Sequence, residues 1–240
     1  MVLTSFKTLP ELLAAPTSLP RGLHTGAWRE VFAALPVGRY LFTSAVVAVA
    51  IGLLQVALCL PAGYCLAKLR FRGRSWAFGL VLASLLVPAP VTFVPVFVLL
   101  SELRLVNTLG ALILPFAASA FGTFLVRQAL LSVPDELIEA ARLDGASEPT
   151  IVYRILAPIL APTLASLFLV SFVFHWNDYF WPLVMTTDDS VRTLPLGVAL
   201  LREQGTGVRW HVVMAGNVLL SLPPLALFAM AQKHLLRSLR

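Results

Sequence analysis

Charge is what this sequence has least of. Of its 240 residues only 12% are Asp, Glu, Lys or Arg, against 58% hydrophobic. Soluble domains carry about 25% charged and about 45–50% apolar residues. The 18 basic and 12 acidic side chains cannot clothe a soluble particle of this size. That shortage excludes an ordinary soluble enzyme, a disordered regulator and a nucleic-acid-binding domain. Cysteine is scarce too. Cys59 and Cys65 lie six apart in one apolar run. On a helix turning about 100° per residue they face different sides and cannot be bridged. Their spacing is neither CxxC nor that of a metal site, so they read as small apolar side chains. No HExxH, GxSxG or Walker A sequence occurs, and no carboxylates cluster inside the apolar runs. The chain therefore offers no P-loop for ATP, no metal site and no cofactor site.

What is present is long uncharged stretches. A bilayer core takes about 20 apolar helical residues. Five runs qualify: Leu41–Ala67, Ser75–Ser101, Leu105–Val126, Ile155–Asn177 continuing to about Thr187, and Trp210–Gln232. None alternates like a barrel strand. An all-α polytopic membrane bundle follows, because lipid requires the backbone to satisfy its own hydrogen bonds.

The net charge of +6 is read by position. Lys68, Arg70, Arg72 and Arg74 crowd the loop between the first two runs, which places that loop in the cytoplasm. Alternation then puts Glu102 and Arg104 outside, Arg127–Arg154 inside and Thr186–Arg209 outside. The tail with Lys233, Arg237 and Arg240 falls inside. Arg192, Arg202 and Arg209 oppose this assignment, but Asp188, Asp189 and Glu203 share their segment.

Residues 1–39 then lie outside without a charged segment leading into an apolar signal core. An additional apolar helix upstream is the expectation. Pro10, Pro16, Pro20 and Pro36 divide this lead-in. Leu12 and Leu13, and then Trp28, Val31, Phe32 and Leu35, suit two short amphipathic helices at the membrane surface. A loosely packed lead-in without a role fits the same residues.

The loop between the third and fourth runs differs in character. It carries Asp135, Glu136, Glu139, Arg142, Asp144, Glu148 and Arg154. Ser132 is placed to cap a helix, with Asp135 three residues on and Pro134 in the first turn. Gly145 reads as the stop. Ser147, Glu148 and Pro149 start a second helix returning to the bilayer. Leu137, Ala140 and Ala141 share one stripe at i, i+3 and i+4. Small alanines there admit a close approach by another protein, with Glu139 and Arg142 on the flanks. An amphipathic helix folded back on its own bundle is the plainer alternative.

Glu139-Ala140-Ala141, three residues, Gly145, nine residues, Ile155 and Pro158 resemble the EAA loop of ABC-importer permeases. The loop pattern has Leu where this chain has Ala157. Lys68–Gly73, Ala120–Arg127, Trp176–Pro182 and Thr193–Gly197 extend the likeness to the carbohydrate-uptake branch, of maltose and glycerol-3-phosphate type. The resemblance implies a type I importer permease fold of six spans in a bacterial inner membrane. It implies a second permease subunit as heterodimer partner, two ATP-binding subunits and an extracytoplasmic solute-binding protein. It implies a non-catalytic chain whose Leu137, Glu139, Ala140, Ala141, Arg142, Asp144 and Gly145 dock on an ATP-binding subunit. Met1–Lys7 looks like the exit of the family's first helix.

The expected layout is a lead-in at 1–39, a permease domain at 40–233 and a cytoplasmic tail at 234–240. The spans fall at about 41–67, 76–100, 106–126, 158–184 and 211–232, with the coupling loop at 132–157.

Polar residues within membrane runs are rare and tend to be functional. Gln55, Thr92, Thr123, His211, Asn217 and Gln232 are scattered, whereas His175-Trp176-Asn177-Asp178 is dense. A straight helix would lift that group roughly 26 Å above Pro158. Trp176, Asn177 and Asp178 are candidates for a solute path or gate. An aromatic belt of Trp176, Tyr179 and Trp181 is the competing reading. A membrane-embedded hydrolase or transferase using His175 and Asp178 is the alternative from another class, and it lacks a nucleophile beside the pair. Pro88, Pro90 and Pro95, Pro115, and Pro223 and Pro224 mark expected breaks or kinks.

The topology predicts that a cysteine at residue 73 resists an impermeant thiol reagent on intact cells and that one at residue 205 reacts. The reverse labelling would overturn it.

Overall fold

The computed structural model describes residues 1–202 and 208–237, and their side chains except those of Ala89 and residues 231–237. Glu203, residue 205 and Arg240 lie outside the described residues, as do the side chains of Gln232, Lys233 and Arg237. Every regular element among the described residues is helical. A 3-10 turn, Leu3–Phe6, precedes α1 (Leu9–Ala14) and α2 (Gly26–Ala34). Then come α3 (Val37–Lys68), α4 (Arg74–Ser84), α5 (Ala89–Glu102) and α6 (Leu109–Ile113), which tightens into 3-10 geometry at Leu114–Phe116. They are followed by α7 (Ala120–Leu131), α8 (Asp135–Leu143), α9 (Glu148–Ile159) and α10 (Ala161–Trp176). The last three are α11 (Phe180–Met185), α12 (Leu194–Leu200) and α13 (Trp210–Arg237).

By length and composition, α3 and α13 can each cross a membrane, and four crossings result if each bent helix pair counts as one. The other three apolar runs are broken within their length. The run at 76–100 is two helices, interrupted at Leu85–Pro88. Pro88 and Pro90 each lack the N–H that a continuous helix would use. The third run bends by 41° between Phe116 and Ala120. Ser119 restarts it, its Oγ accepting from the Gly122 N–H at 3.0 Å. The fourth run bends by 83° at Leu160, with Pro158 and Pro162 on either side. The bend falls at the foot of the rise toward His175, and Ala161–Trp176 remains one helix. Inside α9, Ile151–Leu156 forms a π-helical turn.

The chain divides into two compact units. One holds Met1–Ala48, Asn107–Leu112 and Val173–Ala229. In it Tyr40 Oη donates to Asp189 Oδ1 at 2.7 Å, and Ser44 Oγ accepts from the Leu194 N–H at 2.8 Å. The buried Lys7 ammonium donates to the Ala15 carbonyl at 2.9 Å and to Ser18 Oγ at 3.1 Å. α1 and α2 form where short amphipathic helices are expected. Leu12, Val31 and Leu35 turn into the unit, while Leu13 and Phe32 stay exposed. Asn107 holds a left-handed conformation, φ 64°. Its Oδ1 accepts from the Thr187 N–H at 2.9 Å and its Nδ2 donates to Asp188 Oδ2 at 2.7 Å.

The second unit includes Val49–Val106 and Ile113–Phe172. Its core joins Cys59, Leu60, Tyr64 and Ala67 of α3 to Val126 and Leu130 of α7, and to Ile138, Ala141, Ile151, Val152 and Leu156. Both cysteines are unbridged, and Cys59 is fully buried. α4 lies on α7, where Phe78 stacks on Phe124 at 6.3 Å and the Arg127 guanidinium sits 3.9 Å over the Phe78 ring.

Gly63 lets α3 and α7 approach closely. A Cβ there would lie 2.8 Å from Val126 Cγ1 and 3.0 Å from the Arg127 backbone nitrogen. Alanine gains about 1 kcal/mol of helix propensity, but overpacking costs about 1–3 kcal/mol, and a backbone nitrogen cannot swing aside. Gly63→Ala is expected to lower the thermal midpoint of the purified protein in detergent. An unchanged or raised midpoint would refute this account.

Candidate functional site

The loop singled out by its charges folds as helix, left-handed turn and helix. Pro134 is the extended residue before α8, and Asp135 and Glu136 occupy the first turn. Their charges complement the amide end of the helix, as Arg142 does the carbonyl end. Ser132 is not the cap expected from sequence. Its hydroxyl donates to the Ala129 carbonyl at 2.7 Å and so belongs to the end of α7. Gly145 has φ 79°. The Ala146 N–H returns to the Ala141 carbonyl at 3.0 Å, the closure that a left-handed glycine after a helix permits. Ser147 precedes α9, but its hydroxyl pairs with Thr150 Oγ1 at 2.9 Å rather than with the backbone.

The faces of α8 are now distinguishable. Ile138 and Ala141, 3% and 8% exposed, turn into the core of the second unit. Leu137, Glu139, Ala140, Arg142, Asp144 and Gly145 are open on the surface. Ala141 is therefore corrected: it packs beneath α8 instead of sharing an outward stripe with Leu137. The apolar surface residues are Leu137, Ala140 and Leu143, the last 89% exposed. On so short a helix, i+3 and i+4 spacing from Leu137 fits two adjacent faces, and only the packing partner chooses between them.

Two side chains of α3, Tyr64 and Lys68, hold the loop. Tyr64 Oη donates to Glu148 Oε2 at 2.6 Å and accepts from Arg142 Nη2 at 3.0 Å. Arg142 Nε closes the ring on Glu148 Oε1 at 2.9 Å. Lys68 Nζ donates to the Val133 carbonyl at 2.6 Å and to Asp135 Oδ1 at 2.5 Å. The Lys68 ammonium holds the Asp135 carboxyl below the usual carboxylate range. Arg74 Nε and Nη2 donate to the Leu66 and Ala67 carbonyls at 2.8 Å each, and Arg127 Nε reaches Leu66 at 3.2 Å. The sequence pointed to Arg142 and Glu148 as loop charges, but Tyr64 and Lys68 as their partners were missed. A tyrosine hydroxyl at the buried end of an apolar run was the available signal, since buried hydroxyls need partners.

The structure separates the other candidates. Trp176 is buried, its Nε1 donating to the Leu220 carbonyl at 2.8 Å. Asp178 Oδ1 accepts from the Trp181 N–H at 3.3 Å, between α10 and α11. Asn177 is exposed, with Nδ2 donating to the Val173 carbonyl at 2.8 Å. The His175 ring meets Phe174 edge-on at 5.2 Å. Among the described residues no group of three His, Cys, Asp or Glu is arranged for a metal.

A family model described as the binding-protein-dependent transport system inner membrane component matches residues 59–240. The chain belongs to this family. It is 35% identical over 205 residues to the sn-glycerol-3-phosphate transport system permease protein UgpE of Yersinia enterocolitica, covering 85% of this chain and 73% of that one. Against the same-named protein of Pectobacterium atrosepticum it is 33% identical over 237 residues, covering 95% and 84%. The crystal structure of a bacterial ABC transporter importing the acidic polysaccharide alginate superposes with a TM-score of 0.81 at 20% identity, covering 97% of this chain and 87% of that one. That likeness shows the type I importer permease fold. As a family member the chain is a transport permease subunit, which agrees with the non-catalytic reading.

Tyr64→Phe removes one hydroxyl from the ring with Glu148 and Arg142. The remaining half-exposed ion pair is worth about 0.2–1 kcal/mol, whereas a hydrogen bond to a charged group contributes about 1.5–3 kcal/mol. Amide exchange over residues 135–147 is expected to quicken about tenfold or more in the variant, with α13 unchanged. Equal protection in both proteins would show that the ring does not hold the loop.

Proposed function

We propose that the chain is one of two permease subunits of an ATP-driven importer for a small sugar-phosphate-like solute, and that α8 and Gly145 pass the closure of an ATP-binding subunit to the membrane helices. Hydrolysis falls to that partner, since no Walker A sequence occurs here. A solute-binding protein delivers the solute outside, and the second permease completes the path. The solute class follows the named relatives, whose system carries sn-glycerol 3-phosphate. The chain sits in the bacterial inner membrane with its basic 68–74 loop, α8 and the C-terminus in the cytoplasm. The lead-in at 1–39, the permease domain at 40–233 and the tail at 234–240 remain the working division.

The observation carrying the coupling role is the two-sidedness of α8. Its back is fixed by Ile138, Ala141, Tyr64 and Lys68. Its front offers Leu137, Ala140 and Leu143 without a partner in this chain's core. A helix held rigidly behind and apolar in front suits a groove on another subunit and transmits displacement without absorbing it.

Three substitutions test this. Ala140→Trp on the exposed face is expected to insert normally and bind the second permease, yet lose uptake by shedding the ATP-binding subunit or leaving its hydrolysis unlinked to transport. Gly145→Val has open space for its side chain but a strained φ. A left-handed residue costs an L side chain roughly 1–2 kcal/mol, so the turn distorts and coupling falls. Ala141→Trp overpacks the core and reduces membrane level instead. Membrane abundance, subunit retention and ATPase in proteoliposomes separate the outcomes. Wild-type uptake by Ala140→Trp and Gly145→Val at normal abundance would remove the coupling role.

A further inference from the structure

Within the first unit a cavity of about 620 Å³ opens beside α12, the start of α13 and the turn after α10. Small-molecule sites run from about 300 to 1,000 Å³. Its polar lining comes from Asn177, Tyr179, Arg202, Trp210 and Asn217, on otherwise apolar walls. The Arg202 guanidinium lies 5.7 Å from the Trp210 ring centroid. Cation–π contact at that range steadies the guanidinium while leaving its edge donors available. Among the described residues that line it there is no carboxylate. The Asn177 amide spends one donor on Val173, which leaves Oδ1 as an acceptor. No hydrogen bond from a described residue engages the half-buried Asn217 side chain, although its backbone carbonyl accepts from Ser221 Oγ at 2.8 Å.

We propose that this cavity is a solute-contact site for a small anionic polyol, a sugar or polyol bearing a phosphate or a carboxylate. The proposal rests on the importer reading and deepens it. Arg202 takes the anion, because a fixed guanidinium fork matches both phosphate and carboxylate. The exposed part of Trp210 receives the carbon face of the polyol. The amides of Asn217 and Asn177 meet hydroxyls. A cavity whose described lining holds one cation and no anion favours an anionic over a neutral carbohydrate. Polar side chains set among apolar walls favour a hydroxylated solute over a lipid tail. The site draws on Asn177 from the expected solute path and leaves Trp176 and Asp178 out of it. Sequence reading did not single out Trp210 as a contact, and it treated Arg202 only as a charge opposing the topology.

The test uses the assembled importer in nanodiscs, both permeases with their ATP-binding subunits, without the solute-binding protein. Equilibrium dialysis measures binding of labelled sn-glycerol 3-phosphate and a uronate disaccharide, with glycerol and maltose as neutral comparators. At least one anionic probe is expected to bind saturably and over tenfold tighter than either neutral one, and which one distinguishes phosphate from carboxylate. Arg202→Ala should weaken that binding at least tenfold, Arg202→Lys should restore part of it, and Asn217→Leu should weaken it separately. Absence of saturable binding by either anion overturns the proposal, as does unchanged affinity in Arg202→Ala. Quantitative cross-linking of a cysteine at residue 202 to the second permease, showing the cavity filled by protein, also overturns it. Uptake by the complete system with its binding protein separates the two readings. If wild type and Arg202→Ala import an anionic solute equally, the importer reading stands and this site falls. If the wild type imports none of the four, the solute class under the importer reading falls with it.

Discussion

The C-terminal end of α3 is the constraint on which the second unit depends. A helix leaves its last carbonyls without intrahelical donors, and an apolar setting makes that costly. Here the donors are Arg74 on the Leu66 and Ala67 carbonyls and Arg127 on Leu66. Lys68, in the last turn, reaches across to Val133 and Asp135. Each of these three cations joins the end of α3 to another element. Arg74 starts α4, Arg127 binds α7 and stacks on Phe78 of α4, and Lys68 receives the chain as it enters α8. Cations that sequence reading treats as topology signals are thus also the fasteners of the helices they follow.

Much of this was legible. The uncharged runs announced a helical membrane protein, and the charged loop announced two helices around Gly145. The prolines at 88 and 90 gave warning of a break in the second run, but hydropathy cannot distinguish one helix of about 25 residues from two shorter ones with the same composition. The bend at Leu160 was hidden for the same reason, since apolarity continues through it. Ala141 was misplaced because a nine-residue helix has too few positions to define one face. Tyr64 and Glu148 lie 84 residues apart in sequence, and their pairing is a product of folding alone. The cavity beside α12 was invisible for that reason too, because Asn177, Arg202 and Asn217 come from three elements.

The two sides of α8 differ in kind. Inward, it is held by close-packed Ile138 and Ala141 and by charge-assisted hydrogen bonds, which tolerate little displacement. Outward, it has apolar side chains awaiting a surface. Beyond the Gly145 turn, α9 contains the π-helical turn at Ile151–Leu156. Such turns loosen a helix locally and recur at functional sites.

Asn107 has a consequence of another sort. Its backbone occupies the left-handed region and its side chain accepts from the Thr187 and Asp188 amides while donating to a carboxylate. Glycine meets the first demand and has no side chain for the second. Aspartate tolerates the backbone but brings no donor, and would face Asp188 with a like charge. Glutamine has both groups, but its extra methylene displaces them and removes the short-range hydrogen bonding that lets asparagine adopt this conformation. Asparagine alone among these four meets both demands, so a half-buried loop position is chemically as demanding as a packed one.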